Sequence, residues 1–269
     1  MEKAVMPHGS WFVGCGNMGG AMVRGWQKAG IDLVGLTAIS PSGRDIPGLK
    51  VVTGLPEGPP SWCFLGFKPQ MLDRIAPDLA PAIGKDSVVL SLLAGVEAAT
   101  LRARFPHARA IVRLMPNLPV SEGEGVTALY SPDADEQLRT QIEALHSALG
   151  FAPWCKSDDE LVITSTVAGS GPAYVARFID AFAKAGCAAG LDAELSARLA
   201  LETVAGTGLM ARRTGESMDA LARRVASPGG TTEAGLAVLD EEKGVDALVR
   251  RVVEAARRRS DELAAAARG

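Results

Sequence analysis

Trp11-Phe12-Val13-Gly14-Cys15-Gly16-Asn17-Met18-Gly19 joins an apolar run to a glycine-punctuated turn, and the architecture of the chain follows from it. Three apolar residues form a short strand, and the glycines that follow open a helix pattern carried by Met22, Val23 and Trp26. Glycine at the first position makes the tight turn, at the second lets a pyrophosphate approach the backbone, and at the third lets helix and strand pack closely. A glycine-rich packing turn would satisfy the same spacing. The strand before it, and the alternation of strands and helices after it, select a dinucleotide site.

Residues 33–39 read as a second strand, ending in Ser40-Pro41-Ser42-Gly43-Arg44. An NAD enzyme usually carries Asp or Glu there for the ribose hydroxyls. Ser40, Ser42 and Arg44 suit a 2′-phosphate instead, which favours NADPH, while the next residue, Asp45, keeps NADH open. Further buried strands of a parallel sheet are expected at Val51-Val52, Cys63-Phe64-Leu65, 88–92 and Ala110-Ile111-Val112. Lys68-Pro69, Ala94-Gly95 and Met115-Pro116-Asn117 each follow a strand directly. Ligands of open α/β sheets bind outside those carboxyl ends, so the three together mark a cofactor edge. Segments 126–129 and 152–155, with a helix at 138–149 between them, complete the sheet.

Ser157-Asp158-Asp159-Glu160 has capping-box spacing and begins a run of helices that continues to the end. The expected division is therefore a Rossmann-type domain, residues 1–155, and an all-helical domain, 156–269. Gly169-Ser170-Gly171-Pro172 interrupts the first of these helices. Tyr174, Phe178 and Phe182 then repeat every four residues, a stripe read as core first and ligand contact second. A helical half this rich in Ala and Leu has more apolar surface than a thin bundle can hide, and a second copy of the chain is expected to cover the excess.

Near the end stands Ala226-Ser227-Pro228-Gly229-Gly230-Thr231-Thr232, directly before the apolar pattern of Leu236, Val238 and Leu239. Pro228 fixes one φ, the glycines permit a close ligand approach, and Thr231 or Thr232 is placed to cap the helix. Helix amides without internal acceptors, at the positive dipole end, form a cradle for a small anion. An ordinary capped Pro-Gly-Gly turn is the plainer reading of the same residues.

Composition excludes several classes. At 269 residues and 47% hydrophobic content the chain can bury a core and divide into two domains. A net charge of −3 and only a short Arg257-Arg258-Arg259 run argue against a nucleic-acid partner. Cys15, Cys63, Cys155 and Cys187 stand singly and suit reduced thiols packed as small hydrophobes; His8, His107 and His146 have no second metal ligand at suitable spacing. Residues 1–10 lack the apolar core of a signal peptide, and no segment has the length and hydropathy of a membrane span. The expected compartment is the cytoplasm.

Taken together, Gly14-Cys15-Gly16-Asn17-Met18-Gly19, Lys68-Pro69, Met115-Pro116-Asn117, Gly169-Ser170-Gly171-Pro172-Ala173-Tyr174 and Ser227-Pro228-Gly229-Gly230-Thr231-Thr232 resemble the pyrroline-5-carboxylate reductase family, in its order and over nearly the whole chain. The resemblance implies NAD(P)H-dependent reduction of 1-pyrroline-5-carboxylate to proline, on a Rossmann domain followed by a helical dimerisation domain, in a homodimer or an assembly of dimers. It implies a carboxylate-binding turn at Ser227, Gly230 and Thr231, and a ring-nitrogen partner at Thr232. The pyrophosphate loop falls on Gly14, Cys15, Gly16, Asn17, Met18 and Gly19, and the nicotinamide edge on Lys68, Pro69, Gly95 and Asn117. One departure stands out: Pro41, Pro47, Pro56, Pro59 and Pro60 crowd a stretch where the family usually has two helices. The chain also resembles β-hydroxyacid dehydrogenases at Gly169-Ser170-Gly171, but their Lys four residues beyond the last glycine is here Val175. A reductase of a related cyclic imine acid, and a dinucleotide-binding protein without activity, remain as alternatives.

Overall fold

A computed structural model describes residues 4–268 of the chain. In chain order its elements begin with β1 (Ser10–Val13), α1 (Asn17–Lys28), β2 (Leu36–Ile39), β3 (Lys50–Val52), β4 (Trp62–Leu65), α2 (Leu72–Leu79), β5 (Val88–Ser91) and α3 (Ala98–Arg104). They continue with β6 (Ala110–Pro116), β7 (Gly125–Tyr130), α4 (Glu136–Ser147), β8 (Gly150–Phe151) and α5 (Asp158–Thr164). Five helices close the chain: α6 (Gly171–Ala188), α7 (Ala193–Thr214), α8 (Met218–Val225), α9 (Thr231–Leu239) and α10 (Val245–Arg268).

The strands form one sheet in the order β3-β2-β1-β4-β5-β6-β7-β8. Helices cover both faces, so the inner strands are apolar along their whole length rather than alternating. Phe12, Phe64, Leu90 and Val112 point to one face, where Trp26 of α1 joins them, and Trp11, Val13, Leu65, Val89 and Ile111 point to the other. Phe12 and Phe64 stack with centroids 5.3 Å apart, as the β1–β4 register sets them opposite each other. The sequence reversal at β1/β4 is the topological switch point, and a ligand crevice lies outside the strand ends there.

Three strand expectations change. The second strand is shorter than read, because residues 33–35 belong to the turn that precedes it. β7 runs antiparallel to β6, since a short 3₁₀ turn at Leu118–Glu122 reverses the chain instead of a crossover helix. The final strand, expected at 152–155, is instead β8 at Gly150–Phe151, and within 152–155 Trp154 adds only a single bridge to Leu129.

The chain separates into two units, residues 4–170 with 257–268 and Gly171–Ala256. Helical structure begins at α5, right after the division expected from the sequence, while compactness assigns α5 to the sheet unit. Its capping box is real but displaced: Ser157 Oγ accepts from Glu160 N at 3.1 Å, and the Glu160 carboxylate accepts from Lys156 N at 2.6 Å. Beyond α5 the helix widens into a π turn at Ser165–Gly169.

Within the second unit α6 and α7 pack on each other, tied by Ser196 Oγ donating to Ala183 O at 2.6 Å. The aromatic stripe of α6 is not core: Phe178 and Phe182 are 50% and 49% exposed, and α6 has no buried residue. A period of four residues marks an apolar face, whatever covers it. Cys187, read as packed, is likewise exposed, whereas Cys63 and Cys155 are buried. Among the described residues no helix is long and apolar enough to cross a membrane.

Candidate active site

The turn after β1 gives each glycine a physical task. Gly14 has φ +78°, and a Cβ there would stand 2.9 Å from Phe67 N. A Cβ on Gly19 would stand 2.7 Å from the Phe12 ring, so glycine is what lets α1 lie on β1. Gly16 differs, since the nearest atom to its absent Cβ is Gly66 O at 4.0 Å. No protein packing requires that glycine, and its backbone is left open to the approach of a ligand. Gly16 is also the N-cap of α1 and offers no side-chain acceptor, leaving the first-turn amides open towards an anion. These residues fit a dinucleotide pyrophosphate.

A cavity of about 330 Å³ opens at this helix end, lined by Cys15, Gly16, Asn17, Gly20, Arg24, Arg44, Asp45, Ile46, Pro47 and Leu118. Met18 and Gly19 lie outside it and serve packing, Met18 against the core beneath α1. Burial pushes the Cys15 thiol up to about 11, against the pull of Arg44 and Arg24. A neutral thiol here leaves the charge of the cavity to its two guanidiniums and Asp45. Ser40 does not line it: its Oγ meets Ser42 Oγ at 3.1 Å and its N donates to Val52 O. As the crowded prolines implied, no helix occurs between β2 and β4. Arg24 escaped the sequence reading because a basic residue on an exposed helix face looks merely solvated; its position one turn after Gly20 was the available signal.

Further along the carboxyl edge, Lys68 is exposed at the end of β4 and Pro69 opens a 3₁₀ turn. Gly95, after β5, has φ +76° and lines a second cavity of about 480 Å³ with Glu97, Arg113, Asp158 and Asp159. Arg113 is buried and pairs with the half-buried Asp158. Asn117 is 6% exposed and its side chain is already engaged: Oδ1 accepts from Val126 N at 2.8 Å, and Nδ2 donates to Ala168 O at 3.0 Å. It therefore clamps β6, β7 and the π turn, shaping the edge by position.

The Ser227–Thr232 turn belongs to the helical unit. Gly229 has φ +70°, and Gly230 N donates to Ser227 O at 2.9 Å. A Cβ on Gly230 would stand 2.7 Å from Ser227 Oγ, so this turn tolerates only glycine there. The expected threonine cap is corrected: Gly230 is the N-cap of α9, with no side-chain cap, and Thr231 and Thr232 are the first helical residues. Glycine takes the cap because the turn folds back on Ser227. The outcome strengthens the cradle, since no hydroxyl of the chain occupies the first-turn amides. Glu233 reaches back to accept from Gly229 N at 2.7 Å and holds the turn shut.

Strand order, glycine loop and open helix end define a Rossmann-type dinucleotide-binding protein with an all-helical C-terminal region. The family model described as pyrroline-5-carboxylate reductase dimerisation matches residues 158–263. The chain is 34% identical to the pyrroline-5-carboxylate reductase of Pseudomonas aeruginosa, over 94% of this chain and 96% of that one. It is 41% identical to that of Synechocystis over 74% of each. The crystal structure of Plasmodium falciparum pyrroline carboxylate reductase with NADP bound superimposes with a TM-score of 0.82 at 26% identity, covering 95% of this chain and 97% of that one. The chain belongs to the pyrroline-5-carboxylate reductase family.

Proposed function

We propose that this protein reduces 1-pyrroline-5-carboxylate to L-proline, using NADPH in preference to NADH, as an assembly of at least two copies. The observation that carries the reading is the Ser227–Thr232 turn. Its glycine cap, stiffened by Pro228 and closed by Glu233, leaves the first helix amides without a side-chain acceptor, which suits a carboxylate, and Thr232 is the second residue of that helix. Thr232 is half-buried, as a group that orients a small ligand should be.

Reduction of a C=N bond asks little acid catalysis of the protein, because the imine nitrogen can arrive protonated and its carbon is then electrophilic. The reduced nicotinamide supplies the hydride. What the chain supplies is position: the amides at Thr231 and Thr232 hold the carboxylate, and the Thr232 hydroxyl hydrogen-bonds the ring nitrogen. No histidine follows His146, consistent with a site that works without an imidazole acid. The NADP bound by the Plasmodium relative and the two arginines at the α1 cavity both favour a 2′-phosphorylated cofactor. The exposed apolar face of the helical unit, with Phe178, Phe182, Leu195 and Leu199 each about half exposed, supports burial against a second copy.

The test is nicotinamide oxidation by the purified protein with 1-pyrroline-5-carboxylate, run with NADPH and with NADH. Turnover faster with NADPH is expected, and Thr232→Ala should lower kcat by about tenfold or more with the fold intact. A folded protein that binds nucleotide yet turns over with neither cofactor overturns the reading.

A further inference from the structure

We infer that Arg24, on α1, is a specificity-determining residue that joins Arg44 in recognising the 2′-phosphate of the nucleotide. The inference rests on the proposed cofactor site and extends it to a residue outside the glycine loop and the β2 turn. Gly20, Arg24 and Gln27 succeed one another at helical spacing and share one face of α1. Gly20 and Arg24 line the cavity at the helix end, and the Arg24 guanidinium lies along that face, 3.5 Å from where a Cβ on Gly20 would be. A side chain longer than alanine at residue 20 would compete for that space.

The opposite wall is the segment after β2, which brings Arg44, Asp45, Ile46 and Pro47 to the same cavity. It is latched to α1 by Gln27, whose Nε2 donates to Pro47 O at 2.8 Å, one turn beyond Arg24. Gly48, at φ +81°, makes the bend under that contact, and a Cβ there would overlap Gln27 Nε2. The latch holds this helix-free segment against α1. It leaves two guanidiniums facing one cavity from two elements.

Charge then decides what they read. Among the described residues neither Arg24 nor Arg44 is held in an ion pair, whereas Lys28, on the same helix, is paired with Glu122 at 2.6 Å. Asp45 is the carboxylate on the cavity wall, against two guanidiniums, and Glu122, the partner of Lys28, also feels Arg24, so the wall keeps a net positive charge that favours an anion. The pyrophosphate is already provided with the amides of the α1 first turn. A phosphate on the ribose is the remaining anion of a dinucleotide, and guanidiniums match its oxygens in fork geometry.

Calorimetric titration of NADP⁺ and NAD⁺ into the wild type, Arg24→Met and Arg44→Met tests the assignment without requiring turnover. Arg24 is exposed, so its replacement does not disturb packing. Arg24→Met is expected to weaken NADP⁺ by about tenfold or more while changing NAD⁺ by less than about twofold. Equal weakening of both nucleotides, or of neither, overturns the role of Arg24 and leaves the proposed reaction standing. A wild type that binds no nucleotide overturns both.

Discussion

The sheet unit and the helical unit bury their apolar residues by opposite means. Strands β1, β4 and β5 are inaccessible over their whole lengths, and Phe12, Phe64 and Leu90 have 0% exposure. In Gly171–Ala256 the buried residues are Ser196, Ala200, Ala211 and Leu221, while Val175, Phe178, Phe182, Leu195, Leu199, Leu201, Val238 and Leu248 lie open. One unit carries its own core. The other carries half of a core, and its sequence makes sense only with a partner surface in view.

Charge insertion should split the two most sharply. Leu90→Asp places a carboxylate without a partner in the middle of the sheet, at a cost comparable with the whole stability of a domain, about 5–15 kcal/mol. Loss of the cooperative unfolding transition is expected, read by circular dichroism. The double variant Phe178→Glu/Phe182→Glu changes half-exposed positions and should leave the chain folded, with stability altered by no more than about 0.5 kcal/mol per site in the separated copy. Light scattering should then find single copies. Assembly unchanged in that variant would show that α6 is not the face a second copy covers.

The same contrast explains what could be read from the sequence alone. Buried parallel strands announce themselves as apolar runs, and the glycine loop has a steric reason at Gly14 and Gly19, so the first unit is legible nearly strand by strand. β7 was not, because apolar content does not state direction, and the reversal depends on a 3₁₀ turn. In the second unit helices were legible and their cover was not: the stripe at Phe178 and Phe182 has the same spacing whether a neighbouring helix or another molecule lies over it. Side-chain preference points to threonine as the cap of α9, whereas the contact between Gly230 and Ser227 decides for glycine. Asn117 follows the end of β6, and its two hydrogen bonds reach Val126 and Ala168, partners that only the folded chain reveals.

Acid should single out the sheet unit next. His146 of α4 is fully buried between Trp26 and Phe64, at 5.8 and 6.5 Å between centroids, with neither ring nitrogen hydrogen-bonded. Burial lowers its pKa from 6.5 to about 3. Below pH 6.5 the unfolded chain takes a proton that the folded chain refuses until about pH 3, so this contribution is complete above pH 6.5 and declines as pH falls. By pH 4 the loss is about 3 kcal/mol. His146→Leu removes both unpartnered nitrogens and the titration. Urea unfolding should show the variant gaining on the wild type by about 3 kcal/mol between pH 7 and pH 4. A difference independent of pH would mean that water or a rearranged neighbour solvates the ring.

The smallest effects ask the most of the comparison, because they measure empty space. Gly25 of α1 has none: a Cβ would overlap the Val120 carbonyl oxygen and stand 2.6 Å from Leu149 Cδ2, and backbone cannot yield as a side chain can. Gly25→Ala should therefore cost about 1–3 kcal/mol at any protein concentration. Gly206 of α7 meets nothing within 4 Å, and helix propensity alone makes Gly206→Ala favourable by about 1 kcal/mol. That gain is expected in urea titrations of dilute protein, where copies are separated. A gain that shrinks or reverses as the protein is concentrated would locate another chain's atoms in the space that Gly206 leaves open, and would put that glycine inside the interface. A gain at every concentration would instead leave this part of α7 facing solvent and confine the partner's seat to the aromatic side of α6.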